Sequence, residues 1–475
     1  MDRQFEIFID RFVEELKEEN AAVFAGAGLS VAAGYVDWKN LLLPIAQQLG
    51  LDVDKEHDLV SLAQYHCNER SGNRHELNQR LINEFCAGHA ITENHRILAR
   101  LPIRTFWTTN YDRLIEKALE DTGKIADVKY TVKQLALTRA KRDAVVYKMH
   151  GDVEHPDEAV LTKDDYERYH FDRQPFITAI SGDMVSKTFL FLGFSFTDPN
   201  LDYILSRIRV MFTSSQREHY CIFKRRQRSA SESESAYNYD VIKQELAIKD
   251  LKRFNVTALL VNDYSEITAI LRIIEDRYRQ KAVFISGSAH EYGSFPDPEN
   301  FIQNLSQSLI RSGYQVVSGF GLGVGTYVIM GALQQVYEKE GKLLHDQLTL
   351  RPFPQGGADI QRQWEAYRKD MISYAGIAIF AFGNKLMPNG NVANADGMRK
   401  EFDIAKEKGL KLIPIGATSY VAQELWKEVH DNFNSYYPNA TADFKAAFEM
   451  LNNTSAAPAK LLEVIGKILN MLRGR

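Results

Sequence analysis

The sequence predicts an α/β protein of two domains, each built on a parallel β-sheet. Short apolar runs alternate with amphipathic stretches, and strands that are apolar throughout are typical of parallel sheets covered by helices on both faces. A glycine-containing turn follows the first strand of each half, at 25–30 and at 286–289. The length of 475 residues exceeds one ordinary hydrophobic core. We expect the domains to span residues 1–281 and 282–475.

The first half begins with a helix, because Phe5, Phe8 and Phe12 recur at helical spacing. The first strand, 21–24, leads into the glycine turn, and a mostly helical insertion at 41–100 precedes the second strand. Later strands are predicted at 103–108, 145–149, 188–196, 219–223 and 256–261. A helix at 265–281 is predicted to close the domain.

Composition limits the kinds of partner. A net charge of −4 and a hydrophobic content of 45% predict a globular protein with no general affinity for nucleic acid. No apolar run approaches the ~20 residues of a membrane helix, and the acidic amphipathic N-terminus does not look like a signal sequence. The three cysteines form no CxxC pair, which argues against a cysteine zinc site and a disulfide scaffold. We therefore expect a cytoplasmic protein that binds neither nucleic acid nor membrane.

Candidate site residues follow the predicted strands. In the turn after the first strand, missing side chains let backbone N–H groups approach a phosphate, and a helix start adds attraction for anions. The candidates in this turn are Ala25, Gly26, Ala27, Gly28 and Ser30. Asn110, His150 and Ser195 end three other strands. Because ligands of parallel sheets bind at the carboxyl ends of the strands, we expect these residues to share one pocket.

Each of these signals also has an ordinary structural explanation. A glycine turn can be only a tight connection. Asn110 can cap a helix, His150 can be a hydrogen-bonded core histidine, and Ser195 can simply end a strand. The convergence of all four at one sheet edge is what favours a binding site.

Four segments resemble the NAD-binding signatures of sirtuins. They are GAGLS at 26–30, TTNYD at 108–112, HG at 150–151 and GFSFTDPN at 193–200. Asp37-Trp38-Lys39 stands where sirtuins carry Asp-Phe-Arg, so this segment departs from the family pattern. The resemblance implies a sirtuin-like, Rossmann-type parallel sheet with a helical insertion in the first domain.

The resemblance also implies that the first domain cleaves NAD. Sirtuin deacetylases carry a four-cysteine zinc module, which three cysteines cannot form, so the zinc-free sirtuin-like NADases of bacterial antiphage defence are the better match. We expect an NAD+ glycohydrolase with NAD as substrate, no cofactor and no metal. A protein deacylase or ADP-ribosyltransferase and a non-catalytic nucleotide-binding module are the alternatives.

Residue roles follow from the same resemblance. The glycine turn would hold the pyrophosphate, Asn110 would bind the ribose or position water, and His150 would act as general base. Asp37, Asp112 and Ser195 complete the predicted NAD-binding set. For Asp112 the alternative is an acidic residue in the first turn of a helix.

The second half repeats the strand, glycine turn and helix pattern. Strands are predicted at 282–285, 314–317, 348–351, 377–382 and 410–415. This half resembles the SLOG superfamily, so we expect a Rossmann-like SLOG domain. It lacks the PGGxGT-plus-Glu motif of the enzymatic members and carries RPFPQGG at 351–357 instead, which favours a nucleotide sensor over a second enzyme.

The predicted effector contacts lie in the turns and on later charged residues. They are Gly287, Ser288, Gly321, Leu322, Arg368, Lys385 and Glu401. Cations would neutralise phosphates and Glu401 would accept ribose hydroxyls. By residue type alone a solvated surface charge is the more common role, so Arg368, Lys385 and Glu401 are named because the chain resembles the two-domain effectors of Thoeris defence.

The two-domain layout resembles the effectors of the Thoeris antiphage defence system. That resemblance implies that a partner TIR-domain protein makes a cyclic ADP-ribose isomer. The isomer would bind the second domain and switch on NAD depletion in abortive infection. It also implies a homotetramer or larger assembly.

Overall fold

The computed structural model describes residues 2–56, 58–86, 88–196, 199–211, 217–230, 232–338, 347–351 and 360–473. Parts of two segments named above, 197–198 and 352–357, lie outside these residues. The chain forms two compact units, Met1–Glu275 and Asp276–Arg475. The division falls within the helix Ser265–Arg279, which the sequence analysis assigned whole to the first domain.

The first unit is built on one parallel sheet, to which seven strands contribute among its described residues. They are β1 (Ala21–Ala25), β2 (Thr105–Thr108), β3 (Ala126–Lys129), β4 (Ala144–Lys148), β5 (Thr188–Leu192), β6 (His219–Lys224) and β7 (Val256–Val261). They lie in the order β3-β4-β2-β1-β5-β6-β7, and every paired neighbour runs parallel. The central strands β1 and β5 are buried at every residue, as the apolar runs predicted.

Helices cover this sheet, and the helices between residues 38 and 100 occupy the region of the insertion predicted at 41–100. The helices are α1 (Arg3–Lys17), α2 (Ala27–Val31), α3 (Trp38–Gln48), α4 (Leu59–Glu69), α5 (His75–Phe85), α6 (Glu93–Arg100), α7 (Leu114–Asp121), α8 (Val132–Leu135), α9 (Lys163–Asp172), α10 (Gln174–Ser186), α11 (Pro199–Met211), α12 (Glu234–Leu251) and α13 (Ser265–Arg279).

Two strand predictions in this unit need correction. The edge strand β3 was missed because its sequence, ADVK, is polar, although Asp127 and Lys129 are buried there as an ion pair. The strand predicted at 188–196 ends at Leu192, because Gly193 adopts a positive φ of 64° that turns the chain out of the sheet.

The second unit has its own parallel sheet. Its strands and the flanking helices are β8 (Ala282–Ser288), α14 (Pro298–Arg311), β9 (Gln315–Ser318), α15 (Gly325–Tyr337), β10 (Leu348–Leu350), α16 (Ile360–Ser373), β11 (Ile377–Phe382), β12 (Asn384–Leu386), β13 (Val392–Asn394), α17 (Asp396–Glu407), β14 (Lys411–Pro414), α18 (Tyr420–Asp431), α19 (Phe433–Tyr436), α20 (Ala442–Met450) and α21 (Pro458–Leu472). In the part of this unit that the structure describes, five strands pair in the order β10-β9-β8-β11-β14.

The small antiparallel hairpin of β12 and β13 was not predicted, because both strands are three residues long and polar. Across the described ranges of both units, no helix is long and apolar enough to cross a membrane.

Two buried histidines make the first unit sensitive to acid. His219 begins β6, and its Nδ1 accepts a hydrogen bond from the backbone N–H of Phe189 at 3.2 Å. His95 lies on α6 and is 1% exposed. Burial lowers the pKa of each imidazole to about 4, so both rings are neutral in the folded protein.

We expect the first unit to lose stability as the pH falls from about 6.5 to 4. In this window the unfolded chain binds protons that the folded chain does not, so folding loses up to about 3 kcal/mol per histidine. Calorimetric unfolding at a series of pH values measures this loss. His219→Asn keeps a hydrogen-bond acceptor and should reduce the loss of stability at low pH, whereas His75→Gln, at an exposed site, should not. Equal acid sensitivity in the wild type and His219→Asn would contradict the assignment.

Candidate functional site

The turn after β1 packs directly on the turn after β5, backbone against backbone. The N–H of Gly26 donates to the carbonyl of Leu192 and the N–H of Gly28 to that of Gly193, both at 2.9 Å. A Cβ on Gly26 would lie 2.4 Å from the Gly193 oxygen, and one on Gly193 would lie 2.2 Å from the Leu29 nitrogen. The sequence needs glycine here because no side chain fits.

This contact gives the two glycines of the turn a packing role. Their missing side chains were predicted to let backbone N–H groups approach a phosphate, and their own N–H groups donate to backbone carbonyls. Ala25 is the last residue of β1 and Ala27 the first of α2. The turn therefore stands at the predicted sheet edge, although its two glycines serve close packing.

Asn110 lies against this turn. Its Nδ2 donates to the Gly26 carbonyl at 3.0 Å and to Ser30 Oγ at 2.9 Å, while its backbone N–H donates to Thr108 Oγ1. Both amide hydrogens are thereby used, which fixes the orientation of the carboxamide and leaves its oxygen to accept a hydrogen bond. Asn110 joins the ends of β2 and β1.

Asp112 completes the same chain of hydrogen bonds. Its Oδ2 accepts from Ser30 Oγ at 2.7 Å, and its Oδ1 accepts from the backbone N–H of Leu114 at the start of α7. The structure thus brings Ser30, Asn110 and Asp112 together in one buried cluster. Asp112 precedes α7 instead of lying in its first turn, although it accepts the hydrogen bond from Leu114 at the helix start.

His150 lies at the same edge of the sheet. Thr108 of β2 pairs with Lys148 of β4, so Asn110 and His150 each come two residues after paired positions on neighbouring strands. The buried imidazole packs edge-to-face on Tyr166 of α9, with ring centroids 5.4 Å apart.

Asp37 and Ser195 lie in other segments of the first unit. Asp37 caps α3, where its Oδ1 accepts from the backbone N–H of Asn40 at 2.8 Å. The next residue, Trp38, stacks on Tyr111 with centroids 6.4 Å apart, which connects the helical insertion to the Asn110 segment. Ser195 is exposed beyond the end of β5.

Sequence reasoning missed two residues that shape this site. Gly193 was quoted only as part of a motif, although a glycine that ends an apolar strand is a signal for close backbone approach. Lys148 was passed over within an apolar strand, yet its side chain is fully buried beside Glu116 and Asp152. A single charged residue in an apolar strand is the signal that could have revealed it.

A second cluster lies in the second unit, between the end of β8 and helices α16 and α17. Ser286 Oγ donates to Glu401 Oε2 at 2.6 Å, and Arg368 Nε lies 3.5 Å from Glu401 Oε1. Burial raises the pKa of the Glu401 carboxyl, although the contacts with Ser286 and Arg368 act in the opposite direction. Arg368 and Glu401 therefore pair with each other here. Ser286 was not among the predicted contacts.

The glycine turns of this unit also meet backbone to backbone. A Cβ on Gly321 would lie 2.0 Å from the Gly287 oxygen, and the carbonyl of Leu322 accepts from the backbone N–H of Ala289 at 2.7 Å. The Leu322 side chain is exposed, and Ser288 Oγ donates to the Asn384 carbonyl at 3.1 Å.

Lys385 forms an ion pair with Asp396, the first residue of α17. The structure thus joins Arg368 directly to Glu401 and places Lys385 at the start of the helix that carries Glu401.

Two family models match the chain. One, described as a SIR2-like domain, matches residues 104–242, and the other, described as the Sir2- and TIR-associating SLOG family, matches residues 266–472. Together with the two parallel sheets, they confirm the predicted α/β class and the order of a sirtuin-like domain followed by a SLOG domain.

Full-length relatives carry one name. The chain is 56% identical to NAD(+) hydrolase ThsA of Bacillus cereus (strain MSX-D12), with 98% of each chain covered. It is 50% identical to NAD(+) hydrolase ThsA of Acinetobacter baumannii (strain 532279), over 99% of this chain and 100% of that one. It is 43% identical to NAD(+) hydrolase ThsA of Enterococcus faecium, over 98% of this chain and 99% of that one.

The contact between the two turns predicts that Gly193→Ala will destabilise the first unit. The substitution adds a Cβ to a residue with a positive φ and forces it into the Gly28–Leu29 backbone. We expect a loss of at least about 3 kcal/mol, seen in calorimetry as a fall of roughly 6 °C or more in Tm. Gly182→Ala, on α10 with open space around it, is the matched control and should be neutral or stabilising. Equal effects of the two substitutions would refute this reading of the turn.

Proposed function

We infer that Asn110 and His150 catalyse NAD+ hydrolysis in this chain, which belongs to the ThsA family of NAD(+) hydrolases. The observation that supports this site is the cluster at the carboxyl edge of the first sheet. There Asn110 is held by Gly26 and Ser30, and His150 follows the neighbouring strand. Ligands of parallel sheets bind at this edge.

The proposed reaction breaks the bond between the nicotinamide nitrogen and C1′ of its ribose. Positive charge develops on the ribose in an oxocarbenium-like transition state, and water adds to C1′ to give ADP-ribose. The oxygen of the fixed Asn110 carboxamide accepts a hydrogen bond from a ribose hydroxyl or from the water. His150 accepts the proton that the ribose hydroxyl or the water releases.

The remaining predicted contacts enter the proposal with smaller roles. Ser30 and Asp112 hold Asn110 in place through the hydrogen bonds described above. Asp37 and Ser195 contact NAD+ from the rim. We propose hydrolysis without a cofactor and without zinc; three cysteines cannot form the four-cysteine zinc module of sirtuin deacetylases. NAD+ is the substrate, and the cytoplasm is where we expect the chain to act.

The second unit is proposed to sense a cyclic ADP-ribose isomer and thereby activate hydrolysis. Support comes from the Ser286–Glu401–Arg368 cluster beside the glycine turns Gly287–Ser288 and Gly321–Leu322. A guanidinium suits phosphate oxygens and a carboxylate suits ribose hydroxyls. The isomer must bind the active arrangement more tightly than the resting one.

The matched family, described as Sir2- and TIR-associating, supports a TIR-domain partner as the source of the effector. We propose that the pair works in antiphage defence of the Thoeris type, in which NAD+ depletion aborts infection. We further propose that the chain assembles as a homotetramer or a larger homo-oligomer.

We expect Asn110→Ala and His150→Ala to lower NAD+ turnover by at least about 100-fold, because each removes a group that acts on the reacting ribose or water. Chromatography of nicotinamide and ADP-ribose measures turnover under conditions in which the wild type is active. His75→Ala and Asn83→Ala, both exposed, are the matched controls. Wild-type turnover in either site variant would remove the assignment. Products that require an acylated peptide would indicate a deacylase.

Arg368→Ala should abolish activation or raise the effector concentration that activation requires by at least about 10-fold, because a charge-assisted contact with phosphate is lost. Turnover without effector should stay unchanged. The assay titrates a panel of cyclic ADP-ribose isomers against NAD+ turnover of the full-length chain. Arg362→Ala, exposed on the same helix, is the control. An activation curve identical to that of the wild type would refute the role of Arg368.

A further inference from the structure

Lys148 is a buried ammonium beneath the catalytic edge of the first sheet. It is the last residue of β4, and its side chain has no exposed surface. Nζ donates to the backbone carbonyl of Tyr111 at 3.0 Å and to that of Asp112 at 2.6 Å. It also donates to the Asp152 carboxylate and lies 3.3 Å from Glu116 Oε1.

These partners belong to the two segments that carry the proposed catalytic groups. Tyr111 and Asp112 directly follow Asn110, and Asp152 comes two residues after His150. The three N–H groups of one ammonium are thus shared between the Asn110 segment and the His150 segment. The backbone N–H of Val153 also joins the two segments, because it donates to the same Tyr111 carbonyl at 3.1 Å.

We propose that Lys148 is a positioning residue that fixes Asn110 relative to His150 for NAD+ hydrolysis. This inference rests on the proposed roles of those two residues. Such positioning matters for the rate, because displacement of a reacting group by about 1 Å can lower the rate about 100-fold.

The charge state of Lys148 is consistent with this role. Burial alone lowers the pKa of the ammonium, but the neighbouring carboxylates of Glu116 and Asp152 outweigh it and raise the pKa above its ordinary value. Burial raises the pKa of the Glu116 carboxyl. Stability does not by itself require such a group, because a buried ion pair is often replaced by apolar residues at no cost.

The test compares Lys148→Met with the double variant Lys148→Met/Glu116→Gln in the full-length chain. Lys148→Met leaves buried carboxylates without their cation, so its Tm should fall. The added Glu116→Gln removes one of those charges and should restore part of the Tm, since Asp152 remains. Neither variant can donate to the carbonyls of Tyr111 and Asp112. We therefore expect kcat for NAD+ to fall about 100-fold in both, with KM changed less than about threefold.

Lys129→Met is the matched control. Lys129 is a buried lysine of β3 in the same sheet, which pairs with Asp127 and donates to the carbonyl of Leu137. Neither partner belongs to the Asn110 or His150 segment. Lys129→Met should lower Tm and leave kcat within about threefold of the wild type.

Two outcomes would overturn the proposal. One is a double variant whose kcat recovers along with its Tm, and the other is a Lys129→Met protein that loses as much kcat as Lys148→Met. Assays of Asn110→Ala and His150→Ala run in parallel. If these keep wild-type turnover, the proposed site itself fails. If they are inactive while the double variant is active, only the positioning role fails.

Discussion

The contact between the turns after β1 and β5 is the constraint on which the first unit depends. Gly26 and Gly28 meet Gly193 with backbone atoms alone, so the ends of two central strands lie closer than side chains would permit. This approach places the Gly26 carbonyl where Asn110 reaches it and Ser30 where it bridges Asn110 and Asp112. The polar cluster is therefore a consequence of backbone packing, because its side chains are short and need anchors within hydrogen-bond distance.

The second unit applies the same constraint to a different set of polar groups. Gly321 approaches the Gly287 carbonyl, and the ends of β8 and β9 are drawn together. Ser286, the residue before Gly287, then meets Glu401 of α17 and through it Arg368 of α16. In both units a serine close to a glycine turn donates a hydrogen bond to a carboxylate from another part of the chain. The SIR2-like domain and the SLOG domain thus each have a polar cluster at the carboxyl edge of their sheet.

Sequence patterns predicted the features that repeat along the chain. The buried strands, the helical insertion and the two parallel sheets follow from apolar runs and their spacing. The edge strand β3 and the hairpin of β12 and β13 were missed, because short polar strands are stabilised by pairing that only the folded chain provides. The same limit applies to the sites. Asn110 and His150 could be placed at one edge, whereas the partners of Lys148 and of Ser286 come from distant segments.

For the proposed nucleotide sensor, the pairing of Arg368 with Glu401 has a consequence for ligand selectivity. A simple inorganic anion that attracted the guanidinium would separate it from the carboxylate and leave the buried Glu401 with its hydrogen bond from Ser286 but without the positive charge of Arg368. A compound that presents hydroxyl groups next to its phosphates satisfies both partners at once. In the proposed sensor, free phosphate would thus be disfavoured by the carboxylate, and this electrostatic selection would need no steric gate.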